Sequence, residues 1–202
     1  MRGKFITLEG MDGAGKSTHI PAIIECLKRR LNHEVISTRE PGGTTLGEQL
    51  REILLHQTMH AETETLLMFA ARREHIFEVI EPALARGVYV LSDRFTDASF
   101  AYQHGAKEVD IHFINTLELL VQQDLQPDMT LLFDVPVEVS VQRLASARAP
   151  DKFERESADF FSRIRNAYLQ RAALFPHRFC VIDANRPLDV VKKSVEEAIL
   201  SL

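Results

Sequence analysis

The stretch EGMDGAGKST, residues 9–18, combines three glycines, a lysine and two hydroxyl side chains at the end of a short apolar run. The spacing G-x-x-x-x-G-K-[ST] is met by Gly10, Gly15, Lys16 and Ser17. In this motif a β-strand leads through a glycine-rich loop into an α-helix. The glycines let backbone N–H groups turn toward phosphate oxygens, and the helix N-terminus adds partial positive charge. The stretch therefore predicts a phosphate-binding loop.

The whole loop is expected to contact the phosphates of a nucleoside triphosphate. Its predicted ATP-binding residues are Gly10, Met11, Asp12, Gly13, Ala14, Gly15, Lys16, Ser17 and Thr18. Lys16 is expected to reach the β and γ phosphates, and Ser17 is expected to ligate Mg²⁺, the predicted cofactor. Asp12 is an unexpected residue here, because a carboxylate repels the phosphates that the loop is built to hold.

Five short β-rich runs recur along the chain, and a helical pattern follows each of them. The runs lie at residues 4–9, 34–38, 88–93, 129–134 and 179–183. Strands that are separated by long helical segments, and not by hairpin turns, pair in parallel with helices on both faces of the sheet. The sequence therefore predicts an α/β fold with a doubly wound, five-stranded parallel sheet. Ligands of such sheets lie beyond the carboxyl ends of the strands.

Composition limits the classes of protein that the chain can represent. Its 202 residues, 45% of them apolar, suffice for one sizeable core, so we predict a single domain over 1–202. A net charge of −5 argues against a nucleic-acid partner, which needs a basic face. We expect no membrane partner either, because no run of about 18 uncharged apolar residues occurs. Cys26 and Cys180 fit neither a metal spacing nor a disulfide framework, which indicates a cytoplasmic protein.

Local signals predict several helix boundaries. Thr45 and Glu48 have the spacing of a capping box at the start of a helix. Gly87 suits a helix end. Pro21 removes a backbone hydrogen bond inside the helix after the phosphate-binding loop, which predicts a kink or a widened turn near Ile20.

A phosphate-binding loop alone is compatible with switch GTPases, motor ATPases and small-molecule kinases. The chain lacks the guanine-reading N-K-x-D of GTPases, and motor ATPases are usually larger. A kinase needs a second anion site that faces the first. Arg39, in REPGGT (39–44), and Arg94, in SDRF (92–95), each follow a predicted strand and are candidates for that site. Phosphoryl transfer requires little beyond such alignment and charge compensation.

Five stretches of the chain, taken together, resemble the bacterial thymidylate kinase family in register over nearly the whole length. They are EGMDGAGKST, TREPGGT, LLMFAARREH, SDRFTDASFAYQ and ARAPDKFERESADFFSRIRNAYL. The resemblance implies the nucleoside monophosphate kinase fold, transfer of the γ-phosphoryl group of ATP to dTMP with Mg²⁺, and commonly a homodimer. It also implies that Asp12 turns toward the sugar 3′-hydroxyl of dTMP. The alternatives are another P-loop kinase for a nucleoside or nucleotide, and a nucleotide-gated binding module without catalytic activity.

The resemblance further implies a set of residues that hold dTMP. They are Asp12, Arg39, Phe69, Arg72, Arg94, Ser99, Tyr102 and Gln103. Ser99 and Gln103 are implied to form hydrogen bonds around the base. The ring of Tyr102 is implied to lie against the sugar, where it would exclude a ribose 2′-hydroxyl.

Two registers compete in the helix that contains LLMFAARREH, where the family has an aromatic ring that stacks on the base and an arginine four residues later. One register pairs Met68 with Arg72, and the other pairs Phe69 with Arg73. We expect Arg72 to read the base and Phe69 to supply the ring.

A mobile lid is expected at about residues 143–156, after the fourth strand. Residues 143–178 hold eight Lys or Arg against four Asp or Glu, so this region is basic. The charge on the transferred phosphoryl group needs a cation besides Lys16 and Mg²⁺. We assign Arg148, since the proline in ARAPD favours a loop, with Lys152 or Arg143 as substitutes. The predicted catalytic residues are therefore Lys16, Arg94 and Arg148.

Overall fold

The computed structural model of the protein describes residues 2–29, 31–145, 153 and 157–202. Within them the strands are β1 (Phe5–Glu9), β2 (Val35–Arg39), β3 (Tyr89–Asp93), β4 (Met129–Asp134) and β5 (Phe179–Asp183). They form one sheet in the order β2-β3-β1-β4-β5, and every pairing is parallel. The predicted fold class is confirmed.

Helices connect the strands. They are α1 (Lys16–Arg29), α2 (Thr45–His56), α3 (Ala61–His75), α4 (Glu81–Ala85), α5 (Thr96–Ser99), α6 (Ile111–Gln122), α7 (Val137–Ala145), α8 (Ala158–Leu174) and α9 (Leu188–Leu200). Two further segments, Ile76–Ile80 after α3 and Phe100–Ala106 after α5, are π-helical.

The central strand β1 is buried along its whole length. Successive side chains of a strand point to opposite faces of the sheet. Ile6 and Leu8 accordingly join a core that also contains Leu27 of α1, whereas Phe5 joins a second core with Ile80 and Val90. Full burial of an aliphatic or aromatic side chain contributes about 1.5–3 kcal/mol. Helices therefore cover both faces of the sheet, and its carboxyl edge is left to build a site.

The start of α2 differs by one residue from the prediction of a cap at Thr45. The N-cap is Thr44, whose side chain accepts a hydrogen bond from Gly47 N at 2.9 Å. Glu48 Oε1 accepts instead from Gly43 N, also at 2.9 Å. Gly43 has φ +81°, a value that glycine adopts without strain. Because this turn brings the chain into the extended conformation already at Thr44, the helix begins earlier than the spacing alone predicts.

The other two local signals have opposite outcomes. Gly87 has φ +81° and follows the end of α4, as predicted. By contrast, α1 is α-helical through Pro21 from Lys16 to Arg29, so a widened turn near Ile20 is wrong, while the alternative of a kink there stays a prediction. Pro21 is the sixth residue of α1, so its missing N–H costs one intrahelical hydrogen bond, but the helix continues as an α-helix on both sides of it.

Candidate active site

Residues 10–15 form a tight loop between β1 and α1. Gly10 has φ +133°, and a β-carbon there would lie 2.4 Å from the carbonyl oxygen of Phe133, so only glycine fits. The ammonium group of Lys16 bends back over the loop and donates to the carbonyl oxygens of Gly10 (2.9 Å) and Met11 (3.0 Å). The loop therefore has the strand, turn and helix start that a phosphate-binding motif requires.

Lys16 is held as a buried cation beside this loop. Burial lowers the pKa of Lys16 and the positive charge of Arg94 lowers it further, while the carboxylates of Asp93, Asp12 and Glu9 act in the opposite direction. The resulting pKa lies below the ordinary lysine value. A bound polyanion would restore stability to the charged form, because an opposite charge at short range favours ionisation.

Asp12 faces away from the interior of the loop. Its Oδ1 accepts a hydrogen bond from Arg94 Nη2 at 2.6 Å, and its Oδ2 accepts from the hydroxyl of Tyr102 at 2.7 Å. Burial alone would raise the pKa of Asp12, but the charges of Arg94 and Lys16 outweigh that effect, and the pKa is lowered. Asp12 is therefore an ionised bridge from the phosphate-binding loop to the residues after β3 and α5.

Ser17 and Asp93 form the part of the site that is suited to a divalent cation. Ser17 Oγ lies 3.4 Å from Asp93 Oδ2. Asp93 Oδ1 is the one buried side-chain polar atom for which the described residues supply no hydrogen-bond partner. A hydroxyl and a carboxylate are the hard oxygen ligands that Mg²⁺ prefers, so the donor set fits the predicted cofactor. Sequence reasoning named Ser17 and missed Asp93, although its place at the end of β3 was a usable signal.

A groove, here called the main groove, opens on the far side of Asp12. It is lined by Asp12, Glu40, Pro41, Arg51, Leu55, Met68, Arg72, Arg94, Phe95, Ala98, Ser99, Tyr102, Gln103 and Phe153. The structure thus brings together six of the eight residues that the sequence assigned to dTMP. Phe69 and Arg39 do not line this groove.

The guanidinium group of Arg72 is held by a buried network of hydrogen bonds. Its Nε donates to Glu40 Oε2 at 2.7 Å, its Nη1 donates to Ser99 Oγ at 3.2 Å, and its Nη2 donates to the carbonyl oxygen of Phe95 at 3.1 Å. The second oxygen of Glu40 lies 2.9 Å from His75 Nδ1. Because three of the five N–H groups of a guanidinium are used in this way, two remain for a ligand. Sequence reasoning missed Glu40 and His75, since neither belongs to a motif with a known spacing.

The assignment of Phe69 as the ring in the groove does not agree with its position. Phe69 is buried in a separate core with Phe100 and Ile114, while Met68 lines the groove. Positions four apart share a helix face, so Met68 accompanies Arg72 and Phe69 points elsewhere. Phe69 still contacts the arginine, with its ring centroid 4.5 Å from the guanidinium carbon. It therefore supports Arg72 from the core side.

Arg39 is turned away from the groove for an equally simple reason. It follows Thr38, which bonds to buried His75, and precedes buried Glu40. In an extended chain alternate side chains face opposite ways, so Arg39 points outward, where its side chain is 52% exposed and pairs with Glu48 at 2.7 Å. Arg51 of α2 supplies a guanidinium to the groove instead.

A second groove, here called the side groove, lies on the other side of the phosphate-binding loop. Its lining residues are Ala14, Gly15, Thr18, His19, Arg143, Ala184, Arg186, Leu188 and Val191. Arg143 donates to the carbonyl oxygens of Gly13 (3.4 Å) and Ala184 (3.1 Å), which ties α7 to both sides of this groove. Arg148 and Lys152, the other cations assigned to the lid, lie outside the described residues.

Comparison with known proteins gives a consistent result. The sequence model of the family described as thymidylate kinase matches residues 8–195. The chain is 70% identical over 195 residues to a thymidylate kinase of Methylobacillus flagellatus, covering 96% of each chain, and 63% identical over 202 residues to one of Cupriavidus metallidurans, covering both completely. A crystal structure of thymidylate kinase from Ehrlichia chaffeensis superimposes with a TM-score of 0.78 at 33% identity, covering 98% of this chain and 99% of that one.

Proposed function

Because this chain belongs to the thymidylate kinase family, we propose that the phosphate-binding loop and the main groove form one active site that aligns ATP with dTMP. The chain is an ATP-dependent kinase that transfers the γ-phosphoryl group of ATP to dTMP, and this gives dTDP and ADP in the synthesis of dTTP. We propose the following roles for its residues in binding ATP and dTMP.

The direct contact between Asp12 and Arg94 carries this proposal. The carboxylate belongs to the loop that holds the donor, and the guanidinium belongs to the groove that is open to the acceptor. The proposed sites for the donor phosphates and the acceptor phosphate are therefore in direct contact through these two residues. Holding two reactants in such a fixed relation is the main source of rate enhancement in phosphoryl transfer.

On the donor side, the backbone N–H groups of Gly10–Thr18 and the ammonium of Lys16 bind the phosphates. Lys16 exchanges its two carbonyl partners for phosphate oxygens, which relieves the cost of its burial. The side groove, with His19 and Arg186, receives the adenine. Ser17 and Asp93 would hold Mg²⁺, which supplies charge neutralisation to the phosphates when it is bound.

On the acceptor side, Arg94 binds the phosphate of dTMP, and Asp12 and Tyr102 contact the sugar. The pKa of Arg94 stays well above its ordinary value despite burial, because Asp12 compensates the guanidinium charge. Arg94 is thus a permanent cation. The attacking oxygen of a monophosphate is already ionised near neutral pH, so the groove needs no general base.

The base of dTMP lies between Arg72, Ser99 and Gln103 in the inner part of the groove, with Met68 against its face. Arg72 donates its two remaining N–H groups to a carbonyl oxygen of the ring. Arg148 remains our assignment for the cation that stabilises the transferred phosphoryl group, together with Arg143, which already lies beside the loop.

The enzyme acts as a homodimer in the cytoplasm. Phe77, Leu119 and Leu120 are 69%, 70% and 67% exposed. Leu119 and Leu120 lie on α6, Phe77 lies on the π-helical segment that continues α3, and Arg73 of α3 donates to the carbonyl oxygen of Val121 on α6 (3.3 Å). Covering such side chains with a second copy removes them from water. The two cysteines are free thiols, as a reducing compartment requires. No helix among the described residues is long and apolar enough to cross a bilayer.

A coupled assay of ADP release with ATP, Mg²⁺ and a panel of nucleoside monophosphates tests the site. We expect Lys16→Ala to abolish turnover of dTMP while the thermal unfolding transition stays close to that of the wild type. Undiminished turnover in this variant would refute the site. Arg86→Ala, an exposed arginine at the opposite edge of the sheet, is the matched control and should change nothing.

A further inference from the structure

Beneath the main groove lies a buried carboxylate that the phosphoryl transfer does not use. Glu64 of α3 is 1% exposed. Its Oε1 accepts a hydrogen bond from Gln103 Nε2 at 3.0 Å, and both of its oxygens accept from the ammonium of Lys107, at 2.7 and 2.8 Å. A buried carboxylate is costly unless it is paired and hydrogen-bonded. The Lys107 ammonium meets that requirement, since it forms an ion pair with the Glu64 carboxylate.

An ionised carboxylate accepts hydrogen bonds and cannot donate them. The amide of Gln103 must therefore turn its NH₂ group toward Glu64. If the amide rotated by half a turn, its oxygen would face the carboxylate oxygen, and two acceptors would lie against each other. Glu64 consequently decides which end of the Gln103 amide faces the groove.

The other end of this amide is Gln103 Oε1, for which the described part of the chain supplies no hydrogen-bond partner. It belongs to a side chain that lines the main groove. The inner end of the groove thus offers one acceptor, Gln103 Oε1, and the two remaining N–H donors of Arg72. This arrangement is complementary to an imide edge, in which a ring N–H stands beside a carbonyl group.

We propose that Glu64, with Lys107 as its counter-ion, is a positioning residue that makes the groove select thymine and uracil rings over cytosine. Cytosine carries an acceptor nitrogen where thymine carries N3–H, so it would set acceptor against acceptor at Gln103. Sites that leave a buried polar group unpaired in this way discriminate strongly against the wrong ligand. Phe153 covers the outer side, with its ring centroid 4.6 Å from Lys107 Nζ. This inference rests on the proposed acceptor role of the groove.

The test is Glu64→Gln, which keeps the size of the side chain but adds a donor, so that the Gln103 amide can adopt either orientation. The quantity to measure is the ratio of kcat/KM for dTMP to kcat/KM for dCMP. We expect this ratio to fall by about fivefold, chiefly through a gain with dCMP, because Gln103 then accommodates N3 of cytosine while Arg72 still opposes its 4-amino group. Glu62→Gln, on the exposed face of the same helix, is the matched control and should leave the ratio unchanged.

An equal loss with both substrates in Glu64→Gln would overturn the proposal, because it would show a purely structural role. Gln103→Ala provides a second variant, because it removes the amide that Glu64 is proposed to orient. In that background Glu64→Gln should change the ratio by less than about twofold. A fall in the Gln103→Ala background as large as in the wild-type background would also overturn the proposal. Turnover of dTMP by the wild type reports separately on the proposed function.

Discussion

At the scale of single residues, the structure explains why a phosphate-binding loop contains an acid. Asp12 does not approach the interior of the loop, because Arg94 and Tyr102 hold its carboxylate on the groove side. In the proposed site, backbone groups of the loop bind ATP, and the side chain of Asp12 in the same loop contacts dTMP.

The first residue-scale prediction concerns Arg94. Arg94→Ala should weaken binding of dTMP more than tenfold, because a charge-assisted hydrogen bond contributes about 1.5–3 kcal/mol. Affinity for ATP should change much less. Isothermal titration with each nucleotide measures both, and equal losses would mean that the acceptor phosphate lies elsewhere. Arg39→Ala is the control: its exposed side chain faces away from the groove, so dTMP affinity should stay within about twofold.

The second residue-scale prediction concerns Glu9, whose carboxyl group lies at the end of β1 and is fully buried. Its oxygens accept from Phe95 N and from the hydroxyl of Tyr168, each at 2.7 Å. Burial and the nearby charge of Asp97 raise the pKa of Glu9 from 4.5 to about 8. Between these pH values the folded state binds more protons than the unfolded state, so stability falls as pH rises and levels off above the folded pKa.

Glu9→Gln removes this titration while its amide can still accept from Phe95 N and donate to the Tyr168 oxygen. We expect its free energy of unfolding, relative to wild type, to increase from pH 5 to pH 8 by up to about 1.4 kcal/mol per pH unit. Urea denaturation at four pH values measures this difference. Parallel stability profiles for the two proteins would contradict the raised pKa.

Residue identity was more predictable than residue orientation. The spacing of Gly10, Gly15 and Lys16 identifies the phosphate-binding loop, since few other structures require those residues in that order. By contrast, the choice between Met68 and Phe69 depends on a helix rotation of about 100°. A one-residue error in the register of this helix therefore assigns to the groove a side chain that lies in the core. The sequence alone cannot exclude such an error, because nothing in this stretch fixes the register.

At the scale of elements, the five strands could be predicted from the sequence because their short β-rich runs are separated by helical patterns. The two π-helical segments could not be predicted. Phe100–Ala106 carries Tyr102 and Gln103, and its extra residue per turn helps to aim both toward the groove. Widened turns are maintained by tertiary contacts, so the local sequence gives little sign of them. Pro21, the local signal that was present, predicted one in the wrong place.

The element-scale prediction concerns the segment between α7 and α8. Arg148→Ala should lower kcat by about 10²-fold or more, since arginines that stabilise a transferred phosphoryl group contribute about 10³ to 10⁵. The affinities for ATP and dTMP should change little. Single-turnover kinetics separate these effects. If kcat stays near normal, Arg143→Ala should show the loss instead, because Arg143 already contacts the loop at Gly13.

At the scale of the whole molecule, large apolar side chains are exposed beside each of the cores. Leu174 of α8 and Leu188 of α9 lie beside the core that contains Ile6 and Leu8, whereas Phe77, Leu119 and Leu120 lie beside the smaller cores near α3 and α6. We place the proposed dimer interface at the second group, because α3 and α6 are joined by the bond from Arg73 to Val121.

The prediction at this scale is that the proposed dimer forms and that Phe77→Glu converts it to a monomer at micromolar concentration, because a charge in an apolar interface is costly to bury. Sedimentation velocity measures the change. Leu200→Glu introduces the same charge at a 44% exposed leucine on α9 and should leave the dimer intact. A wild-type protein that sediments as a monomer would contradict the proposed interface.

The position of Phe153 is also suited to a fluorescent probe of the main groove. The chain contains no tryptophan, and its three tyrosines include Tyr102, whose ring centroid lies 6.0 Å from that of Phe153. A tryptophan in place of Phe153 would be the sole indole of the protein, at the rim of the main groove. Its emission would respond to polarity at that rim, and excitation at the long-wavelength edge of the indole band, where tyrosine hardly absorbs, would select it. Occupancy of one groove could then be followed in real time, with unmodified nucleotides.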